Sequence, residues 1–142
     1  MIKRDPNKEL LEAYYSLMNG HVVYDEKEIK CGTRISRDEK NYIYFYLENI
    51  EDYMITDDTI IYEATMGIEI VSVQDLNGGD DTAVNSILDQ VMSIVSDAEN
   101  LIMTNFGCSM TTKGNMDYNT QTSETNTLII KKLRINHLIE QI

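Results

Sequence analysis

The sequence predicts an α+β fold: a mostly antiparallel sheet of four to five strands, two helices packed on it, and long β-hairpin or loop excursions. Three stretches carry that reading. Between Ile60 and Ile70, Ile60, Tyr62, Ala64, Met66, Ile68 and Ile70 fall on one side of an extended chain and Glu63, Thr65, Gly67 and Glu69 on the other, the period-2 pattern of a half-buried strand. Between Asn41 and Ile50, Ile43, Phe45 and Leu47 alternate with Tyr42, Tyr44 and Tyr46, and aromatic and branched side chains suit a pleated surface. Val84, Ile87, Leu88, Val91, Met92, Val95 and Ala98 recur at spacings of three and four, which is one face of a helix. The 142 residues suit one domain over 1–142, long enough to bury about 70% of its unfolded surface without a disulfide or metal.

In chain order, the first element is a helix over 6–19. Asp5 offers a carboxylate to orphan N–H groups, Pro6 needs no donor at the first helical position, and Asn19-Gly20 stops the helix. Leu10, Leu11, Tyr14, Leu17 and Met18 form its apolar stripe, and of Tyr14 and Tyr15 only one can face the core. Val22–Tyr24 reads as a short strand, and the charged segment from Asp25 to Arg37 as an extended loop. The tyrosines opposite the Ile43–Leu47 side imply that the 41–50 strand is covered on both faces. Residues 51–58 read as an acidic linker with a turn at Asp57-Asp58. The Ile60–Val73 strand then pairs antiparallel with 42–50, and Gly67 within it marks a bulge or a close approach. Asn77-Gly78-Gly79 makes a reversal, and Asp80 or Asp81 caps a helix over 81–98. A short strand follows at Leu101–Cys108. Met110–Asn126, rich in Thr and Asn, reads as a long loop or an exposed hairpin arm. Thr127–His137 closes the sheet, with a bulge at Lys131-Lys132 where its alternation breaks.

The formal net charge is −12. Lysine and arginine are absent between Lys40 and Lys113, while thirteen aspartates and glutamates lie in that interval. Tight binding to a nucleic-acid backbone depends on Lys and Arg neutralising phosphates, so tight wrapping of DNA or RNA is not expected. The basic residues gather at 27–40, as Lys27, Lys30, Arg34, Arg37 and Lys40, and at 131–134. Segregated patches of opposite sign suit either a self-associating ring or pairing within one chain. Cys31 and Cys108 match no zinc or redox spacing and read as reduced thiols. No apolar run reaches the ~20 residues that span a bilayer, and the first residues lack the apolar segment of a secretory signal. The expected setting is a reducing cytoplasm or a particle assembled there.

No catalytic motif emerges. Asp75-x-Asn77-x-Gly79 has the opening spacing of a calcium loop, yet Asp80 stands where glycine is needed and Ser86 where glutamate is. There is no phosphate-cradling glycine loop, nucleophile elbow or HExxH. His21 and His137 are isolated in sequence, and Asp57-Asp58, as neighbours on an extended chain, point opposite ways. The expectation is a protein without enzymatic activity, metal or cofactor.

The order of elements resembles the small tail-terminator, or tail-completion, proteins of tailed bacteriophages. An amphipathic helix at 6–19 leads through Val23-Tyr24-Asp25 to the aromatic strand Tyr42-Ile43-Tyr44-Phe45-Tyr46-Leu47. A long second strand, a helix with i, i+3, i+4 spacing and a closing strand after a variable loop follow. The likeness spans nearly the whole chain, although Arg37-Asp38-Glu39-Lys40 stands where family members often carry a proline. It implies a structural virion protein of the tail or neck, present in the host cytoplasm during assembly. It further implies a homo-oligomeric ring, commonly of six subunits, that meets tail-tube and connector proteins while DNA passes through its channel. Ring contacts of this kind are heterologous. The residues expected at them are Tyr42, Tyr44, Tyr46, Lys30, Arg34, Arg37, Lys113 and Tyr118. Glu63, Glu69, Asp80 and Asp81 are expected on an acidic channel or outer surface, past which a polyanion slides without sticking. The alternative from another class is an acidic inhibitor or DNA mimic that binds a basic protein. A third, a metal-dependent enzyme, would rest on Asp57 and Asp58.

Overall fold

The computed structural model describes residues 2–34, 38–75, 80–96, 101–122 and 125–142. The elements run α1 (Asn7–Met18), β1 (Val23–Tyr24), β2 (Lys27–Glu28), β3 (Lys30–Gly32), β4 (Asn41–Ile55), β5 (Ile60–Asp75), α2 (Thr82–Val95), β6 (Phe106–Thr122) and β7 (Asn126–Gln141). The fold is α+β. Five strands form one mixed sheet in the order β3-β4-β5-β7-β6, and β1-β2 is a separate hairpin. β3 lies parallel to β4, and the other three pairings are antiparallel.

One face of the sheet carries both helices. Its cross-strand rows are apolar: Ile43 faces Ile70, Phe45 faces Ile68 and Leu47 faces Met66 across β4–β5, and β7 continues two of them with Leu133 and Ile135. Leu10, Ala13, Tyr14 and Met18 of α1 close over this floor, as do Ala83, Val84, Ile87, Leu88, Val91 and Val95 of α2, and all join one core cluster. Each such fully buried large aliphatic contributes about 1.5–3 kcal/mol, so the helix stripes read from the sequence are what anchor α1 and α2. Tyr14 is buried and Tyr15 exposed, as the adjacent pair requires. Gly20, with φ of 78°, provides the left-handed residue that ends α1.

Several boundaries differ from the sequence reading. α1 starts one residue later than expected: Pro6 stands just outside the helix, and Asp5 Oδ1 accepts from the Asn7 N–H at 2.9 Å. At α2 the side chain of Asp81 makes no cap bond, and Asp80 Oδ1 instead accepts from the Thr82 N–H at 3.0 Å. The helix is assigned only to Val95. Ala98, the Asn77-Gly78-Gly79 reversal and Arg37 lie outside the described residues.

In the described part of the 25–37 segment, residues 25–34, two short strands replace the extended loop expected. Asp25 and Glu26 have φ of 53° and 63° and turn a tight β1–β2 hairpin, the Ile29 N–H donates to the Val22 carbonyl, and both of those side chains are buried. Residues 51–55 are not a linker either: β4 runs on to Ile55, keeping its pairing with β5 through extra residues at 48 and 53. The turn expected at Asp57-Asp58 is present, closed by the Thr56 N–H donating to the Thr59 carbonyl at 2.8 Å. No strand covers 101–105; β6 begins at Phe106, after Asn105 with φ of 66°.

The described part of the polar 110–126 stretch is paired as the hairpin alternative expects, yet it is not a free arm. Its β6 side pairs with β7, which is itself paired with β5 as far as Asp75. Polar, β-branched residues fit there because an edge strand with little packed above or below it needs only ladder bonds. β7 has no bulge at Lys131-Lys132. Its buried side is the odd one, Ile129, Leu133, Ile135, His137 and Ile139. Lys131 keeps this parity and reaches the rim of the core, where its ammonium bonds Asn85 Oδ1. The extra residues sit across the ladder, in β6.

Gly67 answers a close approach, by a side chain rather than by backbone. A Cβ there would lie 2.7 Å from Cζ of Tyr46. Gly67→Ala is therefore expected to cost about 1 kcal/mol by forcing the ring aside. In a Tyr46→Ala background the same change should cost nothing, so a double-mutant cycle on urea midpoints isolates the contact.

Candidate subunit-contact surface

The sheet face opposite the helices has no second layer among the described residues, which corrects the expectation that β4 is covered on both sides. Tyr42 is nonetheless buried, and Tyr44 and Tyr46 are half-buried, because neighbouring side chains lie across them. The Tyr44 and Tyr46 rings are 5.0 Å apart, and Lys132 Nζ sits 5.2 Å above the Tyr46 ring. Burial raises the Tyr46 phenol above its usual range, so it stays neutral beside that ammonium.

Arg134 ties three strands together on this face. It pairs across the ladder with Gly67, over which the Tyr46 ring lies, and its guanidinium reaches past β5 to β4. Its Nε donates to both oxygens of Glu48 at 3.1 Å, and Nη1 donates to Asp117 Oδ2 on β6 at 2.6 Å. Lys132 adds a 3.5 Å ion pair to the same Glu48. Single exposed pairs contribute about 0–1 kcal/mol, while a shared network with planar Arg–carboxylate geometry holds better. The network's main effect is to fix β4, β7 and β6 relative to one another.

The residues expected at contacts fall into two groups at opposite edges of the sheet. Lys30, cross-strand from Tyr42, sits with Arg34, Tyr42, Tyr44 and Tyr46 at the β3–β4 side. Lys30 pairs with Glu39 at 3.2 Å, and Arg34 is exposed. Lys113 and Tyr118 are on β6, at the far edge and on the helix-bearing face. The Tyr118 hydroxyl donates to Asp81 Oδ1 at 3.2 Å, and Lys131 lies 5.6 Å above its ring. The four acids do not share one surface. Glu63 and Glu69 project from the open face of β5, whereas Asp80 and Asp81 stand at the start of α2 on the other side.

Two long strand margins lie open. β3 covers β4 only at Tyr42–Tyr44, so the outward backbone of 45–55 has no strand alongside it among the described residues. Among the described residues β6 pairs with β7 and, at Phe106, with Met103 in an isolated bridge, so its other side has no strand alongside it beyond Phe106. Large apolar side chains are exposed at both: Tyr53, Met54 and Ile55 on β4, Met110, Met116 and Tyr118 on β6. No protein-family model matches the chain, and no curated protein matches it. The surface is therefore read from its own geometry.

One polar cluster lies inside the core, where the sequence showed only an isolated histidine. His137 is buried on the helix-bearing face of β7; its Nε2 bonds the hydroxyl of Tyr14, and its Nδ1 lies 2.9 Å from Thr111 Oγ1 and 3.5 Å from Cys108 Sγ. A neutral imidazole has one N–H and one lone pair, and the two hydroxyls can satisfy both in either tautomer. Burial lowers the His137 pKa to about 4 and raises both the Tyr14 phenol and the Cys108 thiol. A thiol kept protonated is a weak nucleophile, so this arrangement acts as a lock between α1, β7 and β6. Its only sequence signal is that His137 falls at i+2 from Ile135 on the buried side. Among the described residues no group of three or more His, Cys, Asp or Glu is placed to hold a metal ion, and no helix is long and apolar enough to cross a membrane.

Proposed function

We propose that this chain is a structural virion protein that forms a ring at the end of the tail tube or at the head–tail neck of a tailed bacteriophage. It closes the tube and joins it to the connector while leaving a channel for DNA. The observation that carries the reading is the pair of unlike open margins, β4 on one side of the sheet and β6 on the other. A chain with two different sticky sides associates head to tail, and head-to-tail contacts close into rings when the rotation allows. The order of elements, from the amphipathic helix through the aromatic strand to the closing strand, supports the same reading. So does the stretch between Lys40 and Lys113 that lacks basic residues, since a wall without cations does not hold a passing polyanion. The reading as an acidic mimic of DNA finds less support, because Glu48 and Asp117 on the open face are neutralised by Lys132 and Arg134.

The test is direct. Purified protein at high concentration, alone and with isolated tail tubes, is expected to give rings of about six subunits in negative stain and to bind tube ends. A protein that stays monomeric and never binds tubes ends this reading.

A further inference from the structure

We propose that successive copies join by extending the sheet, the free side of β6 of one copy adding antiparallel to residues 45–55 of β4 of the next. This rests on the ring reading above and names its contact.

Strand direction allows it. The β4–β5, β5–β7 and β7–β6 pairings are all antiparallel, so β6 runs opposite to β4 within one chain. Turning a copy about an axis along the strands lays its β6 antiparallel beside the neighbour's β4, with the helix-bearing faces on the same side. The incoming strand can pair only from Phe45 onward, because β3 already occupies Tyr42–Tyr44.

The side chains match in that position. Cross-strand rows run Phe45–Ile68, Ile68–Leu133 and Leu133–Met116, so Met116 is level with Phe45 on the helix-bearing face. Beside Phe45, between α1 and the β3 end, lies a groove of about 610 Å³ lined by Lys8, Leu11, Glu12, Tyr15, Gly32 and Phe45. Tyr15 is 47% exposed at this groove and Met116 is 51% exposed at the far edge. A copy added without stagger brings Met116 into the neighbour's groove. Lys113, on the same face and level with Leu47 through Ile135 and Met66, has no ion pair among the described residues. The groove's rim offers it Glu12, whose own partner Lys8 stands 4.0 Å away in an exposed i,i+4 pair. The contact therefore has an apolar centre and opposite charges beside it.

The curvature matches as well. β4 carries extra residues beside Met66/Thr65 and beside Tyr62/Ile61 of β5. β6 carries them beside Ile135/Leu133 and Ile139/Leu138 of β7, which pair with Met66/Ile68 and with Tyr62/Glu63. Both margins thus bend beside the same two residues of β5, Met66 and Tyr62, while β5 and β7 stay regular. Bulges placed this way curve a sheet on purpose, and two margins of equal curvature can meet along their length.

The test uses full-length protein with Cys31→Ser and Cys108→Ser, carrying either Tyr15→Cys or Met116→Cys. Mixing the two and adding a short bis-maleimide is expected to give a covalent dimer. The variant with both cysteines should give a ladder up to the size of the ring. Neither single variant alone should crosslink, nor should Tyr15→Cys mixed with Asn119→Cys, whose new thiol sits on the opposite sheet face. Lys113→Glu should weaken assembly by about tenfold, one such charge contact being about 1.4 kcal/mol, and Glu12→Lys should restore it. Rings by light scattering without the Tyr15–Met116 product would overturn this contact and leave the ring reading standing. Crosslinking of a single variant with itself would also overturn it, by showing a two-fold contact. A protein monomeric at every concentration would overturn both.

Discussion

Phe45→Ala is expected to lower the unfolding free energy by about 3–5 kcal/mol, the range for removing a buried phenylalanine ring. Phe45 is fully buried. It lies opposite Ile68 in the middle of the sheet, with the Tyr14 ring centroid 6.0 Å away. Neither β5 nor α1 can collapse into the space, because β5 is held on both sides by strands and α1 by the His137–Tyr14 bond. Urea unfolding followed by far-UV circular dichroism measures the change. Phe45→Leu, which keeps most of the volume, should cost about 1–1.5 kcal/mol. A loss under about 1 kcal/mol for the alanine variant would mean that this row is not the centre of the core.

Acid should destabilise the protein through His137. Its pKa falls from an ordinary 6.5 to about 4 in the folded chain, because burial penalises the imidazolium. The unfolded chain therefore binds more protons than the folded one between these values. Stability from this group is full above pH 6.5 and is lost as the pH falls toward 4. The difference is at most about 3 kcal/mol. The groups around the ring, Tyr14, Thr111 and Cys108, are all uncharged, so no carboxylate offsets the cost. Urea midpoints at pH 7.5 and pH 5 should differ clearly in the native sequence and by much less in His137→Gln, which stays neutral. Equal pH dependence in both proteins would remove His137 as the cause and place it on the surface carboxylates.

The elements with strong periodicity were legible from residues alone. The alternation from Ile60 to Ile70 and the stripe from Val84 to Val95 correspond to β5 and α2 because each buries one face against the core, and burial of apolar area is read directly from spacing. The reading was least sharp where a strand buries little. Residues 51–58 look like a linker because Glu51, Asp52, Asp57 and Asp58 interrupt any alternation, and the polar 110–126 stretch leaves loop and hairpin arm open. Their order comes from backbone bonds to β5 and β7, which leave no mark on composition. Lys131 misled for a related reason: its long stem lets a charge keep the parity of a buried side while the ammonium stays at the rim, so an apparent break was none.

The candidate contact surface was legible only in part. Tyr42, Tyr44, Tyr46, Lys113 and Tyr118 stand out by type, and the sequence places the tyrosines on one side of a strand. That the first three and the last two lie at opposite margins depends on strand order, which the sequence does not state. The sequence by itself determined the α+β class, the single core and the acidic surface, since these follow from which residues leave water. Tertiary structure decided which margins stay unpaired, that Arg134 reaches Glu48 across β5, and that His137 meets Tyr14 across 123 residues. Those facts depend on register and on contacts between distant segments, and local pattern carries no energy term for either.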